Sequence, residues 1–313
     1  MTCAEKCQQL REAIARELAP LLADACWLLE VPHYANVGDA LIWQGELDFL
    51  RRQGIHCEGM TGYDSYRPPR IRDNDLVLFQ GGGNFGDLWE LPHSYRRRVM
   101  EQNPSCRFVV LPQTVHYADE ANLLSDAAFF ARFDCTICVR DMVSFKTLKR
   151  AFSNEVRLVP DMAFSMDMAP LAREAAAGTG RPLLLKRVDR EYRSDPRIDA
   201  LVQSSGVDVA DWTAIAEDST FDRWRRRIRN HGRLLRWAYD GYMDRIYRPY
   251  LIRSGIRQLQ AYSDIRTTRL HACILAVLLG KGPIALFDNS YGKNRFFYET
   301  WLQDCDNVTM MYG

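Results

Sequence analysis

Short, largely apolar runs recur along this chain, and stretches with helical spacing separate them. The strands they predict cover 27–31, 76–80, 108–111, 135–139, 156–159, 183–186 and 283–287, with a weaker strand at 207–209 and a short one at 263–266 that is mostly polar. Between them, Leu10, Ile14, Leu18, Leu21 and Leu22 recur three or four apart within 1–24, and a second helical run over 40–52 is closed by Gly54. Further helices are expected near 94–102, over 120–131, from 141, over 268–279 and over 293–303. A strand with one wet face alternates polar and apolar residues, whereas an uninterrupted apolar strand is covered on both faces. Strands of that kind alternating with helices predict βαβ units, parallel sheets and the α/β class. In open sheets of this type ligands sit beyond the carboxyl ends of the strands. The loops that follow the runs, rich in Gly, Asn, Asp, Gln and Arg, are therefore where chemistry is expected.

Length and composition narrow the reading. At 313 residues the chain is expected to form two domains. The Ala- and Gly-rich stretch 169–180, with Pro170 and Pro182 at its sides, is the linker candidate, giving domains of 1–170 and 181–313. The last helix is a candidate to pack back on the N-terminal domain. A hydrophobic fraction of 47%, charged residues at 26% and a net charge of +1 exclude a disordered tail and a general polyanion binder. Nine cysteines, an odd number set mostly in apolar runs, fit buried reduced thiols rather than a disulfide framework. Cys135 and Cys138 have CxxC spacing, but no second pair follows at zinc spacing, so a structural role is expected and no metal. The first residues contain no apolar signal core, and no segment has the ~18 apolar residues of a spanning helix. A cytoplasmic protein is expected, with contact to a membrane surface left open.

Four loops carry candidate chemistry. Gln80 runs into Gly81, Gly82, Gly83, Asn84, Phe85, Gly86 and Asp87. Such glycines let a ligand approach the main chain and let successive N–H groups form an anion nest, or they serve a tight packing turn; both readings stand. The stretch is not a P-loop and lacks Rossmann spacing. Asn36, Val37, Gly38 and Asp39 lie between a strand and a helix, where Asp39 is either the helix N-cap or a proton acceptor for a hydroxyl. Arg269 and His271 fall in the first turn of an apolar helix that Thr267 or Thr268 caps. An Arg at that end opposes the helix dipole, so a bound anion gives it a reason. Arg140 and Asp141 follow the 135–139 strand in the same way, as an anion contact or an ordinary ion pair.

Residues 221–257 are different in kind. Eleven arginines stand against three aspartates, interleaved with Trp224, Trp237, Tyr239, Tyr242, Tyr247 and Tyr250. Arginine with Trp and Tyr is the composition of a helix lying in an anionic membrane interface. Arg225, Arg226, Trp224, Arg233 and Trp237 are the expected membrane-facing residues, and nucleic acid is not an expected partner.

Taken in order, the motifs resemble those of the polysaccharide pyruvyl transferase family. The matching residues are Asn36-Val37-Gly38-Asp39, Gly81-Gly82-Gly83-Asn84-Phe85-Gly86-Asp87, Pro112-Gln113-Thr114, Val139-Arg140-Asp141 with Ser144, Pro160-Asp161, Arg269-Leu270-His271, and Asp288-Asn289-Ser290-Tyr291-Gly292-Lys293. Lys186-Arg187-Val188-Asp189-Arg190-Glu191 is similar to the segment that opens the family's second lobe. The resemblance implies two Rossmann-like lobes of the glycosyltransferase-B type with the active site in the cleft between them. It implies transfer of a carboxyethylidene group from phosphoenolpyruvate, the donor substrate, onto two hydroxyls of one sugar, without a cofactor. The acceptor it implies is a lipid-linked oligosaccharide or exopolysaccharide repeat, and a peripheral place for the protein at the inner face of the cell membrane is left open. In that frame His271, Arg269 and Asp39 are the catalytic candidates. Arg140, Arg269, Leu270, His271, His93 and His116 are the candidates for phosphoenolpyruvate. Asn36, Gly38, Asp39, Gly81, Gly82, Gly83, Asn84, Asp87, Gln113 and Lys293 are the candidates for the acceptor side and its loops. The segment 221–257 has no place in the family pattern. Two other readings stay open: a glycosyltransferase using a nucleotide sugar, and a non-catalytic anion-binding protein at a membrane.

Overall fold

The computed structural model describes residues 1–63, 71–171, 180–189, 191–212, 219–230 and 236–312. Among these the chain is an α/β protein with two parallel sheets, of seven and five strands. The first sheet contains β1 (Ala25–Leu29), β2 (His56–Thr61), β3 (Leu76–Phe79), β4 (Gly82–Gly86), β5 (Arg107–His116), β6 (Cys135–Val139) and β7 (Val156–Leu158). Its order is β2-β1-β3-β5-β6-β7, with β4 paired to β5 off that path, and every pairing is parallel. The helices interleaved with these strands in the chain are α1 (Cys3–Leu18), α2 (Val37–Arg52), α3 (Glu90–Gln102), α4 (Glu120–Phe130) and α5 (Met142–Ala151).

The second sheet contains β8 (Leu183–Leu185), β9 (Asp208–Ala210), β10 (Ile265–Thr267), β11 (Ile284–Phe287) and β12 (Val308–Met311), in the order β12-β11-β10-β8-β9 and again all parallel. With it go α6 (Pro196–Gln203), α7 (Thr220–Asn230), α8 (Arg236–Tyr242), α9 (Arg248–Gln260), α10 (Leu270–Leu278) and α11 (Lys293–Phe297). A π turn, Met243–Tyr247, joins α8 to α9. A second, Tyr298–Leu302, follows α11, so the helix expected over 293–303 is a short α segment and a π turn. Among the described residues no helix is long and apolar enough to cross a membrane.

Uninterrupted apolar sequence explains the central strands. β3 and β6 are buried along their whole length, as strands covered on both faces must be. Around them Phe79 stacks on Phe108 with ring centroids 5.9 Å apart, and Phe85, Phe130 and Phe152 pack together. Cys135 lies within this core and Cys138 is buried on the same strand, and burial pushes both thiols up, as expected for structural cysteines. Among the described residues none of the nine cysteines forms a disulfide.

Compactness divides the chain into two units. One comprises Met1–Leu10, Tyr34–Leu41 and Asp167–Gly313, and it contains the five-stranded sheet. The other comprises Arg11–His33 and Ile42–Met166 and contains the seven-stranded sheet. The first turn of α2, with Gly38 and Asp39, therefore belongs to the five-stranded unit. Strand order also marks one switch point in each sheet, where successive connections leave in opposite directions. These lie between β1 and β3 and between β8 and β10.

Candidate functional site

The switch point of the five-stranded sheet brings arginines together. Past the carboxyl end of β8 comes Arg187, and past β10 come Thr268 and Arg269. The two strand ends are joined: Thr268 Oγ1 accepts from the Arg187 N–H at 2.9 Å, and Thr267 Oγ1 donates to the Leu185 carbonyl at 3.1 Å. Arg269 is bonded side-on to Asp211, which follows β9, through Nε at 2.5 Å and Nη2 at 2.8 Å. Asp189 stands between the two guanidiniums, 2.8 Å from Arg187 Nε and 3.7 Å from Arg269 Nη2. Burial raises the Asp189 pKa, but the hydrogen bond and charge of Arg187 outweigh it and hold it below the usual range.

A second cluster adjoins the first. Glu191 accepts from Arg187 Nη1 at 2.6 Å, Lys293 Nζ at 2.5 Å and Asn289 Nδ2 at 3.2 Å. Burial opposes ionisation of Glu191, yet Lys293 and Arg187 override it and bring its pKa down to about 2. Lys293, a candidate for the acceptor side, is thus buried and ion-paired within its own unit.

Arg269 occupies the N-cap position of α10 itself, with extended backbone at φ −106° and ψ 118°, where the sequence pointed to a threonine cap. Thr267 Oγ1 instead accepts from the Arg269 N–H at 2.9 Å. Leu270 is buried at the start of the helix, and His271 is half-buried in its first turn. Gly38 approaches His271 so closely that a Cβ at position 38 would lie 2.5 Å from His271 Nδ1. Two motifs far apart in the chain therefore meet inside one unit. At the start of α2, Asn36 is the N-cap: its Oδ1 accepts from the Asp39 N–H at 3.3 Å, and its Nδ2 donates to Asp39 Oδ2 at 2.7 Å. Asp39 lies three residues into the cap rather than at its head, and it also accepts from Tyr34 Oη at 2.8 Å.

The remaining candidates lie in the seven-stranded unit. The glycine loop is a strand, because Gly82–Gly86 pairs with β5. Two of its amides have side-chain partners. The Gly81 N–H donates to Glu46 Oε1 at 2.8 Å, so the anion held at this turn is the protein's own, and the Asn84 N–H donates to Gln113 Oε1 at 3.1 Å. Gln113 is wholly buried and ties β5 to the Gln80 carbonyl at 2.8 Å. Gly83 is half-buried in the strand. Burial raises the Asp87 pKa, but hydrogen bonds from the Ala118 N–H, the Asn122 side chain and the Asp119 N–H hold it low. Arg140, read as an anion contact, is 0% exposed, with Nη1 2.5 Å from Asp161 and Nε 2.9 Å from Thr114 Oγ1. Its charge is balanced inside the fold, as in the ordinary ion-pair reading. His93 Nδ1 stands 3.3 Å from Asp126, and His116 ends β5 half-buried.

The basic segment is corrected in one respect. Arg225, expected to face a membrane, is turned inward at 8% exposure and bonded to Asp222 at 2.6 Å. Trp224 and Arg226 are exposed, at 52% and 56%. Trp237 falls on α8, and Arg233 lies outside the described residues.

Sequence reasoning missed Asp211, whose signal is an acid directly past a strand's carboxyl end. It also missed Glu30, an acid inside an apolar run at the switch point of the other sheet. Glu30 has φ +70°, a region costly for a side chain, and Arg96 grips it with two bonds of 2.7 Å. Among the described residues no group of three or more His, Cys, Asp or Glu side chains is arranged to hold a metal ion.

Comparison with known proteins bears on this arrangement. Residues 36–291 match the family described as polysaccharide pyruvyl transferase. The chain is 28% identical over 322 residues to EpsO of Bacillus subtilis, named for pyruvyl transfer, covering 98% of this chain and 92% of that protein. It is 29% identical over 314 residues to pyruvyl transferase 1 of Schizosaccharomyces pombe, covering 91% of this chain and 72% of that one. The fold is similar to the crystal structure of an uncharacterized protein of Klebsiella pneumoniae, with a TM-score of 0.66 at 18% identity over 97% of this chain and 99% of the other. A family match that runs from the first turn of α2 to the loop before α11 encloses both Asp39 and the Arg269–His271 pair, and the chain belongs to the polysaccharide pyruvyl transferase family, a family of enzymes.

Proposed function

We propose that this enzyme transfers the carboxyethylidene group of phosphoenolpyruvate to two hydroxyls of one sugar in a lipid-linked glycan, forming a cyclic ketal and releasing phosphate. The observation that carries this reading is the approach of Gly38 to His271, which sets Asp39 and His271 in one neighbourhood of the five-stranded unit. One is a carboxylate suited to take a proton from a hydroxyl and the other an imidazole suited to deliver one. Arg269 serves the donor's anionic groups. Its bonds to Asp211 use Nε and Nη2, so Asp211 orients the fork while Nη1 lies on the other edge. The start of α10 adds N–H groups and a positive dipole end for the same anion.

The chemistry follows from these roles. A proton reaches the methylene carbon of phosphoenolpyruvate, and one sugar hydroxyl adds to C2 as Asp39 removes its proton. Phosphate leaves with the C2–O bond electrons, the second hydroxyl adds to C2, and its proton passes to the released phosphate. His271 is the group assigned to the proton on carbon. Arg140 has no part in this reading, because Asp161 and Thr114 already engage its guanidinium.

The test is incubation with phosphoenolpyruvate and glycan acceptors, following phosphate release and the ketal methyl signal by NMR. Arg269→Ala and His271→Ala are each expected to lower kcat/KM by about 10²-fold or more. Full turnover in either variant overturns the site. A thermal shift with nucleotide sugars and none with phosphoenolpyruvate overturns the donor.

A further inference from the structure

We infer that the outer face of α7 is a docking surface for an anionic lipid bilayer. The helix Thr220–Asn230 carries five arginines and one acid, Asp222. That acid is wholly buried. Its carboxylate accepts from Arg225 Nε and Arg226 Nε, each at 2.6 Å, and from Tyr247 Oη at 2.9 Å. The Tyr247 bond ties the helix to the fold through its one negative charge, and no other carboxylate of α7 is present to offset the cations of its outer face. Arg223, Arg227 and Arg229 are exposed on it, and Arg226 is exposed while its Nε is held by Asp222.

Apolar groups share this face. Trp224 is 52% exposed with the Arg227 guanidinium 5.7 Å from its ring, and Phe221, 40% exposed, stacks on Tyr250 at 4.3 Å. The Tyr242 hydroxyl bonds the Phe221 carbonyl at 2.7 Å, so the aromatic end of the helix is built into the unit. Water penalises a large exposed aromatic surface, and a purely electrostatic partner gains little from it. A bilayer interface uses both components, because acyl boundaries accept Trp and Phe while anionic headgroups attract arginine. Charge and apolarity on one helix face thus fit phosphatidylglycerol-like lipid better than a nucleic acid. The benefit of such docking, bringing the enzyme to a lipid-carried acceptor, rests on the function proposed above; the docking itself does not.

Flotation of the full chain with vesicles tests it. Binding is expected to mixed phosphatidylglycerol and phosphatidylcholine vesicles, weak binding to phosphatidylcholine alone, and release as salt screens the headgroups. Each exposed arginine contributes about fivefold, so the triple variant Arg223→Glu, Arg227→Glu, Arg229→Glu is expected to lose on the order of 100-fold or more in partitioning. Trp224→Ala is expected to weaken binding with the charges intact. Circular dichroism and phosphate release on a soluble acceptor report whether each variant is folded. Equal affinity for neutral and anionic vesicles, no binding by the wild type, or preferential binding of RNA or DNA over vesicles overturns the proposal. Phosphate release by the wild type, scored separately, tests the enzymatic reading whatever the vesicles show.

Discussion

At the scale of single residues, the informative position is Gly38. A methyl group there would meet His271 Nδ1 at 2.5 Å and Cγ at 2.9 Å, so the imidazole would have to move. Gly38 lies in the first turn of α2 and shows no positive φ, so alanine gains helix propensity while displacing the ring. Gly38→Ala is therefore expected to leave the melting temperature nearly unchanged and to lower turnover by about 10- to 100-fold, the scale of a misplacement near 1 Å. Wild-type phosphate release by this variant would show that the imidazole position is immaterial to the chemistry. Arg269 shows the same logic in charge: an arginine at a helix start is unfavourable for the helix, and here Asp211 and Asp189 balance it.

At the scale of elements, β4 is where sequence and structure diverge most. A Gly-Gly-Gly stretch has no strand propensity, yet it is drawn into parallel pairing with β5. Gly86 is required by proximity: with φ +115°, a Cβ there would stand 1.9 Å from the His116 carbonyl oxygen. Gly86→Ala is expected to part β4 from β5 and to cost about 3 kcal/mol or more. Gly54→Ala is the comparison, since φ there is +71° but no atom lies within 4 Å, and its expected cost is about 1 kcal/mol. Urea denaturation of the two variants separates close packing from backbone strain alone. The edge strands teach a related lesson. β2 and β12, unread in the sequence, each border one neighbour only, so neither needs an unbroken apolar run.

At the scale of the whole molecule, buried charge couples the site to global stability. Folding lowers the Glu191 pKa from the ordinary 4.5 to about 2, so between these values the unfolded chain binds more protons than the folded one. The contribution of this carboxylate is complete above pH 4.5 and is lost as the pH falls toward 2. A depression of that size corresponds to roughly 3 kcal/mol. Glu191→Gln, which leaves Lys293 and Arg187 buried without their carboxylate, is expected to lose about 3–5 kcal/mol at neutral pH. Thermal denaturation from pH 7 to 2.5 checks both parts: the gap between wild type and variant should close in acid, and a constant gap would contradict the linkage.

The α/β class, the parallel sheets and the positions of the central strands were legible in the sequence. Uninterrupted apolar runs are a local consequence of burial on both faces, so they can be read without knowing the neighbours. Arg269 and His271 were legible for a similar reason, since a cation at a helix start is a local anomaly. Tertiary structure alone decided which groups each candidate meets. Gly38 lies with the five-stranded unit against His271, Asp211 turns Arg269, Glu46 occupies the glycine turn, and Asp161 takes Arg140 inside. Hydrogen bonds and ion pairs of this kind join residues distant in the chain. Their partners are set by strand order and burial, which a one-dimensional pattern does not contain.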